Sequence, residues 1–216
     1  RVAADARRVL LDDGEWLDYD RLSLDVGSMT DITPWQACAA RMVPLRPLTG
    51  LLTAWPQIRA RAAAGQVLRL AVVGGGAAGI ELALAARHAF DSLAAAAAQI
   101  DLVHAPDGLL PGHGQRIRER AQALLVQHGI RLHAARAAGD AGGLLLTPGG
   151  VLAADHVLIA TGGEAPNWLA DSGLALAGDG RVRVDQHHRS LSHPEVFAAG
   201  DVCARDEVTG GAANHE

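Results

Sequence analysis

The chain has 216 residues, 49% of them hydrophobic and 20% charged, with a formal net charge of −5. That apolar content offsets the entropy of ordering a chain and excludes intrinsic disorder, while the length allows about one and a half domains at roughly 100 to 200 residues each. An acidic balance with only 3% aromatic residues supplies neither a basic stripe nor stacking platforms and argues against a nucleic-acid partner. Cys38 and Cys203 fit no CxxC, zinc or disulfide spacing, so the chain reads as reduced and cytoplasmic. The longest apolar run, residues 70–80, is broken by glycines and falls short of the roughly 20 residues of a membrane helix. The start at Arg1, without a methionine or a signal-peptide pattern, reads as a segment of a longer protein.

In chain order, residues 7–11 and 16–26 flank Asp12, Asp13 and Gly14 and predict two antiparallel strands joined by a tight turn. Residues 28–47 carry Pro34, Pro44 and Pro47 without periodicity and read as a loop or linker. An amphipathic helix follows over 49–64, interrupted or divided by Pro56 and ended by Gly65. The pattern then predicts strand 67–73, helix 77–90, strand 99–104, helix 114–128 and strand 130–134, the alternation of a parallel, doubly wound sheet. Residues 143–153 predict a hairpin around Pro148, Gly149 and Gly150, followed by a buried strand at 156–160. Beyond it come a short helix near 166–171 and strands at 181–184 and 196–199. The expected fold is α/β: a Rossmann-like parallel sheet with an antiparallel hairpin or meander.

The segment VVGGGAAGIELA at 72–83 places Gly74, Gly76 and Gly79 in a GxGxxG pattern between a strand and a helix. The first glycine permits the tight turn, the second lets backbone approach a pyrophosphate, and the third lets helix and strand pack closely. Amides around Gly75, Ala77 and Ala78 and the helix dipole would then hold the phosphates, which makes a nicotinamide dinucleotide the expected partner. At the end of the next strand, where an acid would hold the adenosine ribose, this chain has His104, with Asp107 following. His104 either contacts the ribose or faces solvent. Residues 105–115 contain no arginine or lysine, so NAD is expected ahead of NADP.

Four motifs in order, DYDRLSLDVGS at 18–28, the glycine loop, DHVLIATGG at 155–163 and HPEVFAAGDVC at 193–203, resemble the pyridine nucleotide-disulfide oxidoreductase family of FAD flavoproteins. Within it the chain is most similar to the type II NADH dehydrogenase-like branch, including the module fused to selenide, water dikinase. The resemblance implies an NAD(P)-binding domain inserted into a split FAD-binding domain: residues 1–47 and 166–216 for the FAD part, 48–165 for the insertion. It implies that Asp201, after Gly200, hydrogen-bonds the flavin ribityl chain, that Gly27 and Gly162, the latter beside Thr161, allow close cofactor approach, and that Glu81 lies beside the nicotinamide. Read from the residues alone, Asp201 is a helix N-cap and Glu81 an acid complementing a helix dipole. Asp25 and Val26 stand where the family commonly has alanine and threonine, and the family's own FAD fingerprint would precede residue 1.

The implied activity is hydride transfer from NAD(P)H to flavin, then electron transfer to an unidentified acceptor, a quinone among the candidates. Membrane association, if any, would come through parts outside this segment, and the isolated segment is expected to be inactive. Such chemistry belongs to the cofactors and requires no protein acid, base or nucleophile. No catalytic residue is therefore assigned, and His187, His188 and His193 lack carboxylate or cysteine partners at ligand spacing for a metal. The rival readings are a non-catalytic module sensing NAD(H) for a fused partner and a structural α/β domain that has lost its ligand.

Overall fold

A computed structural model describes residues 1–38, 41–95 and 97–205. The chain divides into two compact units, 1–29 with 163–216 and 30–162. It opens with β1 (Val2–Ala3), β2 (Arg8–Leu10) and β3 (Trp16–Asp18), an antiparallel sheet in that order, then β4 (Leu22–Leu24). The segment expected as one strand over 16–26 is thus two: β3 pairs with β2, whereas β4 pairs in parallel with a strand late in the chain.

The second unit contains β5 (Arg41–Pro44), α1 (Thr49–Ala63), β6 (Leu68–Val73), α2 (Ala77–Ser92), β7 (Ala98–His104), α3 (Gln115–Gln127) and β8 (Arg131–Ala134). It continues through β9 (Arg136–Asp140), β10 (Gly143–Thr147), β11 (Val151–Leu152) and β12 (His156–Ile159). Five strands form a parallel sheet in the order β5-β12-β6-β7-β8, and β9, β10 and β11 form an antiparallel meander rather than a single hairpin.

Alternation along the strands builds a core on each face of this sheet. Leu68, Leu70 and Val72 of β6, Ile100 and Leu102 of β7 and Leu158 of β12 pack with Ile58 of α1, Phe90 of α2 and Leu125 of α3. Ala71 and Val73, Val103, Val157 and Ile159 turn to the other face and pack with Leu144 and Leu146 of the meander and with Trp35. Burial on both faces explains why β6 reads as a nearly unbroken apolar run. Residues 30–47, expected with the flanking part, lie in this unit because β5 completes the sheet beside β12, Met42 opposite Val157. Arg69 and Asp155 pin the starts of β6 and β12: Asp155 Oδ2 accepts from the Arg69 amide (2.8 Å), and Oδ1 from its Nη2 (3.2 Å).

The chain returns to the first unit with β13 (Val182–Val184), β14 (Val196–Ala198) and β15 (Cys203–Arg205). β14 pairs with β4 and β13 with β15, and Val2, Leu24, Val184, Val196 and Val202 form their own core. A short 3-10 turn at Gly200–Val202 leads directly into β15, so over the described residues Asp201 caps no α-helix. No helix among the described residues is long and apolar enough to cross a membrane.

Phe90 is fully buried and stacks on Trp55 with ring centroids 6.0 Å apart. Phe90→Ala is expected to lower stability by about 3–5 kcal/mol, read from denaturant unfolding. Burial pushes the Asp155 carboxyl up, but the hydrogen bonds and charge of Arg69 outweigh it and hold the group below 3.8. A depressed native value stabilises the fold above the unfolded-state value. That contribution is lost as pH falls from about 4 through the native value. Stability measured against pH is expected to fall less steeply on the acid side in Asp155→Asn than in the parent chain.

Candidate functional site

At the carboxyl end of the parallel sheet the backbone comes unusually close to itself. Gly74 follows β6 with φ +137, a conformation open to glycine, and its amide donates to the Val103 carbonyl at 2.9 Å. A Cβ on Gly74 would overlap the Ala160 carbonyl oxygen, and one on Gly79 would overlap the Gly74 carbonyl oxygen. A Cβ on Gly75 would lie 2.6 Å from the His104 Cβ. These three glycines therefore serve packing: α2 is drawn down onto the turn, and the turn onto β7 and β12.

Gly76 differs from them. Its backbone is ordinary extended chain (φ −77, ψ −179), and a Cβ there would meet nothing within 4 Å. It is the N-cap of α2 and offers no capping side chain, so the first amides of the helix have neither an intrahelical nor a side-chain acceptor. They open onto a cavity of about 550 Å³. Gly74, Gly75, Gly76, Ala77 and Ala78 line it on one side, with Thr161 and Gly162 from the turn after β12. Gly162, like Gly76, has open space where a Cβ would be.

His104 joins this lining at the end of β7. Its Nδ1 lies 2.8 Å from the Ala105 carbonyl, an atom that only accepts, so Nδ1 donates there and Nε2 is left for other contacts. Gly79 sits behind the cavity as a packing residue. Glu81, exposed on the second turn of α2, does not line it.

The lining residues that the sequence reading did not single out include Trp35, Arg46 and Arg136. Trp35 is 4% exposed, in a 3-10 turn over Thr33–Trp35. The close contact of its carbonyl with Gly139, where a Cβ would come within 2.6 Å, seats that turn on β9. Arg46 follows β5 and Arg136 opens β9. Only the proline-rich context of Arg46 and the position of Arg136 two residues past a strand could have drawn notice in the sequence.

The other expected residues, Gly27, Gly200 and Asp201, belong to the first unit. There Ser28 Oγ donates to Asp201 Oδ2 at 3.0 Å, Gly27 and Gly200 have φ +68 and +71, and a Cβ on Gly200 would lie 2.8 Å from Asp25 Oδ1. Asp201 is exposed and held against the 24–28 segment rather than buried. The three histidines have separate partners: His188 faces Arg205 Nη2 at 2.7 Å, His193 lies between Ser192 Oγ and Asp5 Oδ1, and His187 meets Gln186. Among the described residues no group of three or more His, Cys, Asp or Glu is placed to hold a metal ion.

A parallel sheet whose first glycine-rich turn feeds an uncapped helix, with a cleft beyond the carboxyl ends of the strands, is the architecture of the FAD/NAD(P)-binding oxidoreductase folds. The chain belongs to the pyridine nucleotide-disulphide oxidoreductase family, whose model matches residues 1–215. It is similar to the ferredoxin–NAD(+) reductase component of the p-cumate 2,3-dioxygenase system of Pseudomonas putida, at 30% identity over 95% of this chain and 48% of that protein. The corresponding component of the 3-phenylpropionate/cinnamic acid dioxygenase of Photorhabdus laumondii is 29% identical over 94% of this chain and 50% of its own length. In fold it resembles NDH2 from Plasmodium falciparum, solved in complex with NADH, with TM-score 0.75 and 15% identity over 94% of this chain and 48% of that one. The chain spans about half the length of the curated relatives it matches.

The two kinds of glycine separate experimentally. Gly79→Val is expected to cost about 1–3 kcal/mol or more in unfolding free energy, because a side chain must displace the Gly74 backbone. Gly76→Val is expected to cost less, about 1 kcal/mol at most, the margin by which glycine exceeds valine as an N-cap.

Proposed function

We propose that the chain provides the pyridine-nucleotide cleft of an NAD(P)H-dependent flavin oxidoreductase. The observation that carries the reading is the pairing of Gly76 and Gly162, both with open space in place of a side chain, beside the uncapped start of α2. That is a cradle a Cβ would fill, lined by amides suited to a pyrophosphate, and so it fits a dinucleotide. Gly74, Gly75, Gly76, Ala77, Ala78 and Gly79 would form and support the phosphate cradle, His104 the ribose end, and Thr161 and Gly162 the opposite wall. Glu81 would reach the nicotinamide only from outside the cavity lining. The unit of residues 30–162 is thus the nucleotide-binding domain.

For the first unit we propose part of an FAD-binding domain. Asp201, exposed but oriented by Ser28, offers a carboxylate acceptor suited to the hydroxyls of a ribityl chain, and Gly27 leaves room for backbone approach. Together the nicotinamide and the flavin supply the redox chemistry. The protein's part is to hold, orient and shield them, which agrees with a cleft lined largely by glycine, alanine and other apolar residues, with no cysteine, serine, aspartate or glutamate in its lining.

The relatives named as ferredoxin–NAD(+) reductase components support a ferredoxin as the electron acceptor to test first. A quinone acceptor and placement beside the type II NADH dehydrogenases rest on likeness of fold and motif, and the fusion to selenide, water dikinase on motif alone. A non-catalytic NAD(H)-sensing module would use the same cleft but gives Gly27 and the Ser28–Asp201 pair no role.

Calorimetric titration of the chain with NADH tests the cleft. Binding is expected, reduced at least tenfold in Gly76→Val with the fold retained. Unchanged affinity in that variant would remove Gly76 from the phosphate site and with it this reading.

A further inference from the structure

We infer that Asp101 locks the register of β8, the edge strand of the parallel sheet, and is thereby a positioning residue for the part of the cleft wall that follows β8. Its bearing on the cleft rests on the pyridine-nucleotide reading above; the lock itself does not. Asp101 stands in the middle of β7 and is 1% exposed. It shares the meander-side face of the sheet with Ala71, opposite it on β6, and with Val103, two positions farther on. A carboxylate in that apolar layer carries a desolvation penalty and needs partners. Two side chains of β8 supply them. Arg131 Nη2 donates to Asp101 Oδ2 and His133 Nε2 to Oδ1, each at 2.7 Å. Arg131 Nη2 also donates to Gln99 Oε1 at 3.1 Å, so the guanidinium is held from two positions of β7.

In the observed register Arg131 is opposite Asp101, Leu132 opposite Leu102 and His133 opposite Val103. The apolar pattern of β8 specifies this pairing weakly. The strand has four residues, lies at the end of the sheet, and packs one apolar side chain, Leu132, against the helix-side core. A shift by two residues keeps every side chain on its own face, so alternation does not oppose it. One such shift would bring Ile130, also apolar, opposite Leu102, and Gly129 opposite Asp101. His133 would then stand four residues, about 13 Å, beyond the level of the carboxylate. Asp101 would lose the imidazole, and a half-satisfied buried charge is costlier than an apolar side chain in its place. Ion clusters of this kind add little net stability over well-packed apolar side chains, and their best use is to choose one pairing among several.

The register set there is read out at the cleft. The same shift would carry the β8–β9 corner about 7 Å past the end of β7. At that corner the Ala135 amide donates to the His104 carbonyl at 2.9 Å, and Ala135, Arg136 and Ala137 line the 550 Å³ cavity.

The test is a triple variant of the whole chain, Asp101→Val with Arg131→Val and His133→Val. Its unfolding midpoint is expected to match or exceed that of the parent, while the NMR amide signals of residues 131–136, single in the parent, split into two or more sets. Hydrogen exchange of the Ala135 amide is expected to quicken roughly tenfold or more as the His104 carbonyl is lost. NADH affinity is expected to fall roughly twofold or more, in proportion to the fraction of chains out of register. Asp101→Asn, which keeps the volume and removes the charge, is expected to quicken Ala135 exchange in the same sense. Single signals with parental Ala135 exchange in both variants overturn the lock. So does a triple variant that fails to fold, because the cluster would then be a source of stability. Split signals with unchanged NADH affinity overturn the positioning role. A parent chain that binds no NADH removes the cleft reading, and the signals and the exchange rates still decide the lock.

Discussion

Everything at the cleft follows from one steric constraint: the Gly74 carbonyl lies where a side chain on Gly79 would be, while Gly74 itself lies against the Ala160 carbonyl. Three chain segments, the ends of β6 and β12 and the start of α2, can meet so closely only because neither glycine carries a Cβ. That contact sets the entry of α2 and brings its unsatisfied amides to the mouth of the cavity. Gly75 extends the constraint to β7, since its neighbour is the His104 Cβ. The end of β7 is therefore positioned by the same loop that would hold the phosphates, so the pyrophosphate and the adenosine ribose of a bound dinucleotide would share one support.

The two ends of the parallel sheet are treated differently. At the amino end the Arg69–Asp155 pair ties adjacent strands with hydrogen bonds and charge. At the carboxyl end the strands run out into turns rich in glycine, and the first amides of α2 have no side-chain acceptor. On the reading proposed above, stability and ligand capture are thus physically separated, as expected of sheets whose ligands bind beyond the carboxyl ends of the strands. The meander adds a second core beneath the sheet and brings Arg136 to the cleft. An element that buries apolar surface thereby also delivers a charge.

What the sequence made legible and what it concealed divide along physical lines. β6, α2 and β7 were readable because a strand buried on both faces gives an apolar run and the glycine loop has a spacing dictated by sterics. β5 was not: it is four residues long, ends in Pro44 and becomes a strand only through its pairing with β12, more than a hundred positions away. β9, with its Ala-Ala-Gly stretch, has little intrinsic strand preference and forms by its ladder with β10. Arg46, which follows β5, and Arg136, which opens β9, were missed for this reason, and Trp35 because the turn that carries it is seated by its contact with β9.

The position of Trp35 has an optical consequence. It is one of four tryptophans in the chain and the only one among the residues lining the described cavity. It is buried, and the turn that carries it is seated on β9 through the contact of its carbonyl with Gly139. Reduced nicotinamide absorbs in the near ultraviolet, where indole emits. A reduced dinucleotide in the cleft would therefore draw excitation from Trp35 by energy transfer, and the cavity contains its own fluorescent reporter of occupancy without any label.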